Sequence, residues 1–72
     1  MAYDYSKLLG KITERVGTQA MFAERMNLSE RTISLKLNGR IGFKQDEIIK
    51  ACNILDISPE MISDYFFKAK VQ

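Results

Sequence analysis

The feature that most constrains the fold is the window Gln19 to Asn38, which reads as two short helices joined by a turn too short to be a linker. Thr18 precedes the run Gln19 to Met26, and Ser29 precedes the run Glu30 to Leu37. A hydroxyl in that place accepts from the free amides of a first helical turn, so both residues read as N-caps. Asn27 and Leu28 separate the runs, and asparagine is the residue that, after glycine, most readily takes positive φ. Ala23 is small where the two helices must cross, and Ile33 points back into the angle between them. A general helical hairpin shows some of these features but seldom all of them within twenty or so residues.

The remaining segments also read as helices. A first helix from Asp4 to Val16 places Tyr5, Leu8, Leu9, Ile12 and Val16 on one stripe, and Gly17 stops it. A fourth runs from Lys44 to Leu55 with Ile48, Ile49, Cys52 and Leu55 inward and Asp46 and Glu47 in its first turn. The fifth has Ser58 as N-cap and Pro59 at the first helical position, where the missing amide costs nothing. Ile57 and Ile62 flank that start as a hydrophobic staple. Its aromatic run, Tyr65-Phe66-Phe67, cannot point wholly inward, so two rings close the core and one stays near the surface. Lys68 to Gln72 reads as a frayed tail. With no strand, repeat or linker, the expectation is an all-α, compact five-helix domain occupying residues 1–72.

Composition narrows the function. The chain has one cysteine and no histidine, which excludes an internal disulfide and argues against a zinc site. No apolar run nears the ~20 residues needed to cross a bilayer, so no membrane partner and a cytoplasmic location are expected. The four glycines, at 10, 17, 39 and 42, form no phosphate-binding loop, and the acids are not paired, so no enzyme, cofactor or small-molecule substrate is expected. Cys52 lies on an inner stripe and reads as a small buried apolar residue. The net charge is only +2, but Arg31, Lys36, Arg40 and Lys44 fall in a stretch without an acid. The seven bases and nine acids elsewhere leave the rest of the chain at −2. A basic stripe on a mildly acidic body suits one phosphate-facing surface; a solvated face of the same composition is the plainer reading.

The segments Thr18-Gln19-Ala20, Phe22-Ala23, Leu28-Ser29, Thr32-Ile33-Ser34 and Asn38-Gly39 resemble the Cro and repressor-type helix-turn-helix family of temperate phages and bacterial regulators. The likeness continues through Glu47-Ile48-Ile49, Ala51-Cys52 and Leu55-Asp56-Ile57-Ser58. Within it the chain is most similar to the short Cro-like modulator-of-repression proteins of Gram-positive temperate phages, which have similar Leu-Ser-Glu-Arg-Thr, Phe-Lys-Gln-Asp-Glu-Ile-Ile and Tyr-Phe-Phe segments. Two positions depart from the family pattern. Asn27 stands where glycine is usual, and Lys36, with Leu37 beside it, stands where an apolar residue is usual.

The resemblance implies a lambda-repressor-like fold and a transcriptional regulator of the lysis–lysogeny switch. Its third helix would enter the major groove of double-stranded operator DNA. Glu30, Arg31, Ser34 and Leu35 would then face the bases, with Arg31 placed for guanine and Glu30 for a cytosine amino group. Thr18, Gln19, Lys36, Asn38, Arg40 and Lys44 would meet phosphates and set register. Plainer roles compete: Glu30 as a dipole-complementing acid, Arg31 as a solubilising base, Asn38 as a helix C-cap. Leu35 lies about 200° around its helix from Ile33, so both cannot face the core. Leu35, Tyr65 and Phe67 are therefore candidate protein-interface residues, for a homodimer or for the cognate phage repressor. The alternative function implied by the subfamily is that of a modulator or antirepressor that acts by complexing the lysogenic repressor.

Overall fold

The computed structural model describes residues 3–70 and consists of five α-helices and one 3₁₀ turn. These are α1 (Ser6–Arg15), α2 (Gln19–Met26), α3 (Glu30–Leu37), α4 (Gln45–Leu55), the turn Pro59–Met61 and α5 (Ile62–Phe66). The radius of gyration is 11.2 Å, the value of about 11 Å expected of a close-packed chain of this length. Among the described residues no helix is long and apolar enough to cross a membrane.

Local chemistry accounts for the middle of the chain. The Thr18 hydroxyl accepts from the Met21 amide at 3.1 Å and the Ser29 hydroxyl from the Thr32 amide at 3.1 Å, so both helices begin where the caps dictate. Asn27 ends α2 with φ 60° and ψ 40°, and its amide, with that of Leu28, closes onto α2 carbonyls. Phe22, Ala23 and Met26 of α2 and Ile33 and Leu37 of α3 are buried together, with Ile33 fully enclosed.

The other elements close the core around that pair. Tyr5, Leu8, Ile12 and Val16 come from α1 and its ends; Ile48, Ala51, Cys52 and Leu55 from α4; Tyr65 and Phe66 from α5. Helix α4 lies against α1, α2 and α5, so it is the element that joins the two halves. Burial of Cys52 raises its thiol pKa, as suits an inert packing residue.

Several boundaries and faces differ from the sequence expectation. Helix α1 starts at Ser6, because Asp4 accepts from both the amide and the hydroxyl of Ser6 and holds the chain outside the helix. Lys44 is the N-cap of α4 rather than its first residue. The inner face of α4 carries Ala51 instead of Ile49, which is 53% exposed. Ile49 is about 100° around the helix from Ile48, whereas Ala51 is about 60° away on the core side. Leu9 is likewise exposed. The fifth helix opens as a 3₁₀ turn, and Ser58 makes no side-chain cap bond to it. Beyond Phe67, where fraying was expected, the Lys68 carbonyl accepts from the Asp4 amide at 2.8 Å and Ala69 bridges to Tyr3. Val71 and Gln72 lie outside the described residues.

Candidate functional site: the outward face of the third helix and an apolar groove

The outward face of α3 is assembled as its spacing dictates. Glu30 and Arg31 are exposed in the first turn, and Ser34 and Leu35 are half-buried one turn on. Asn38 caps the C-terminus of α3 with its side-chain amide 3.4 Å from the Ser34 hydroxyl, and Gly39 follows with φ 75°. Thr18 and the half-buried Gln19 sit at the start of α2, while Arg40 and Lys44 are exposed on the loop that follows α3. Among the described residues neither Arg31, Arg40 nor Lys44 is in an ion pair.

Lys36 does not belong to this face. Its side chain is only 5% exposed, and its ammonium lies 2.8 Å from a carboxylate oxygen of Glu47 on α4. The same ammonium donates to the Gly42 carbonyl at 2.8 Å and lies 5.7 Å from the centre of the Phe43 ring. The expected phosphate contact is therefore a buried strut, because the last turn of α3 turns both Lys36 and Leu37 inward on either side of the Ile33 stripe. Burial raises the pKa of Glu47. The hydrogen bonds from Lys36 and the Lys44 amide, with the charges of both lysines, outweigh it and hold the carboxyl below its ordinary value. Without Lys36, the exposed charges of α3 are one acid and one base, Glu30 and Arg31.

A second surface is apolar. Among the described residues six large hydrophobic side chains are notably exposed, and five of them line three adjoining grooves: Tyr3, Leu9, Ile41, Ile49 and Phe67. The first groove runs between Tyr3 and the loop Gly39–Phe43, and the second from Tyr3 past Leu9 to Leu37. The third, of about 550 Å³, lies between α4 and α5 with Ile49, Ile62 and Phe67 in its walls. An aromatic chain forms the floor. Tyr3 meets Phe67 edge-on at 5.8 Å, Tyr5 meets Phe43 at 5.6 Å, and Phe43 meets Phe66 at 5.3 Å.

Phe67 is the ring of its triplet left outside, at 49% exposure. Tyr65, expected as an interface residue, is instead buried, with Lys7 and Lys11 over its ring at 5.0 and 5.9 Å. Its i, i+1 neighbours explain the split: only Tyr65 and Phe66 can face the α1 side of so short a helix. Lys70 and Asp4 both line the second groove, while Arg40, within the loop, and Lys44, at its end, are exposed outside the three grooves. Hydrogen bonds from Ser6 lower the pKa of Asp4, and the nearby charges of Lys68 and Lys70 lower it further.

The comparisons agree with this architecture. The family model described as "Protein of unknown function (DUF739)" matches residues 1–69, and the chain belongs to that family. Among solved structures, the chain is similar to the modulator of repression (MOR) of the temperate bacteriophage TP901-1 from Lactococcus lactis, a solution structure. The two share 60% sequence identity with a TM-score of 0.83, over 100% of this chain and 97% of that one. No match is found among curated proteins.

Proposed function

We propose that this chain is a phage modulator of repression that acts by forming a complex with its phage's lysogenic repressor. The observation that carries the reading is the gathering of exposed Tyr3, Leu9, Ile41, Ile49 and Phe67 into adjoining grooves, on a chain 60% identical to a modulator of repression. Exposed apolar area of this kind suits a protein partner more than a phosphate backbone. Loss of Lys36 from the exposed basic stripe weakens the competing case for a purely DNA-reading face. The partner expected is a repressor whose docking segment presents aliphatic or aromatic anchors.

Operator binding through α3 is the second reading, a Cro-like regulator using a helix-turn-helix. The exposed Arg31 and Arg40, neither in an ion pair among the described residues, favour it. Titration of the chain against the repressor and against switch-region DNA, separately and together, separates the two. Tight binding to repressor with no duplex affinity supports the first. Duplex affinity that falls steeply with salt, without a repressor complex, supports the second and removes the first.

A further inference from the structure

The ion pair of Lys36 with Glu47 lies beneath the loop that walls the grooves, not beneath the α3 face. At the start of the loop, the Gly39 amide donates to the Lys36 carbonyl at 3.1 Å, and the Arg40 and Ile41 amides to the Leu35 carbonyl at 2.9 and 3.4 Å. At its end, the Lys44 amide donates to the Glu47 carboxylate at 2.8 Å. Between these points, among the described residues, Lys36 is the hydrogen-bond partner of the Gly42–Phe43 backbone, through the Gly42 carbonyl. Phe43, the next residue, lines two of the three grooves and stacks on Tyr5 and Phe66.

A buried ion pair is a poor device for stability, since an apolar couple of like volume is often as stable or more so. What such a couple cannot do is hold a carbonyl at a fixed point. The Lys36 ammonium does this while its charge is neutralised by a carboxylate that also caps α4. One side chain thus fixes the loop to both helices that bracket it.

We infer that Lys36 and Glu47 are positioning residues for partner docking: their pair fixes the loop Gly39–Phe43 as a preformed wall of the apolar grooves, so that Ile41 and Phe43 are presented to the partner at no ordering cost. This rests on the proposed repressor complex. A wall already held in its bound shape strengthens binding by removing the entropy of ordering it.

The test is the double variant Lys36→Met with Glu47→Gln, in which the new glutamine still accepts from the Lys44 amide. Its thermal midpoint, its dissociation constant for the purified repressor of the same phage, and its backbone ¹⁵N relaxation are measured beside the wild type. The expected result is a midpoint near the wild-type value, repressor affinity lowered about tenfold or more, and order lost chiefly at Gly42 and Phe43. A folded variant that binds within about twofold of wild type overturns the inference. Should the variant not fold, relaxation of the wild-type chain decides: residues 41–43 as ordered as α3 and α4 support the strut, and nanosecond mobility there overturns it. Wild-type protein that fails to bind repressor removes the proposed function itself, an outcome distinct from a variant that binds as well as wild type.

Discussion

The α2–turn–α3 unit and the surface around the loop Gly39–Phe43 are neighbours built in opposite ways. The first is specified residue by residue along the chain: two hydroxyl caps, an asparagine at positive φ, and one buried stripe. The second is assembled from parts distant in sequence, with Tyr3, Phe43 and Phe67 brought together and Lys36 reaching Glu47. Local units of this kind carry a common scaffold, whereas surfaces gathered from afar carry what is particular to one protein. The apolar groove, not the helical pair, is thus where partner choice is expected to lie.

The contrast breaks most visibly in the core that the two regions share. Phe66 is 1% exposed and forms part of the groove floor, so Phe66→Ala is expected to cost about 3–5 kcal/mol. Urea unfolding should show both regions lost together, and a chain that kept a cooperative transition near the wild-type midpoint would refute a shared core.

Lys36→Met alone leaves the largely enclosed Glu47 without its counter-charge and is expected to cost about 3 kcal/mol, the low end for a broken buried pair. The double change with Glu47→Gln should restore most of this in the same denaturation measurement. The local unit answers on a smaller scale. Ser29→Ala removes the cap on Thr32 and should cost about 1 kcal/mol, and Asn27→Ala about 1–2 kcal/mol through strain at φ 60°. Neither change should alter repressor affinity once stability is allowed for.

Phe67→Ser sharpens the contrast from the other side. The ring is half exposed, so stability should fall by less than about 1 kcal/mol while repressor affinity, measured by calorimetry, falls well beyond that. Equal losses in both measurements would place the partner elsewhere. Glu47 gives a final, smaller signature. Its folded pKa lies below its ordinary value, so its contribution is present above that value and is lost as pH falls through the folded one. Denaturant midpoints should therefore drop below about pH 4.3, and the Lys36→Met, Glu47→Gln variant should show a flatter profile.

Much of this architecture is legible in the sequence, and the parts that are not share a cause. The bounds of α2 and α3 follow from Thr18, Asn27 and Ser29 because each acts on amides within three or four residues of itself. Ile49 is apolar and reads as inward, whereas the stripe through Ile48, Cys52 and Leu55 favours the smaller Ala51 by angle. A strict angular reading would have exposed Ile49 and with it one wall of the α4–α5 groove. Of the two rings expected near an interface, Phe67 is exposed and Tyr65 is buried, because which rings of a triplet face inward depends on where α1 lies. Lys36 falls three residues after Ile33, so helical spacing already turns it inward, but its partner Glu47 is on another helix and nothing local names it.

What the sequence determined by itself is the helical pair and the alternation of apolar stripes that forces five helices around one core. Caps, positive-φ residues and periodicity act over single turns, so they are written where they operate. Only the tertiary structure decided that Lys36 is a buried strut, that Tyr3, Leu9, Ile41, Ile49 and Phe67 share adjoining grooves, and that the chain after Phe67 pairs with the N-terminal segment. Those outcomes depend on which faces meet, a property of packing between elements that no single segment of the chain contains.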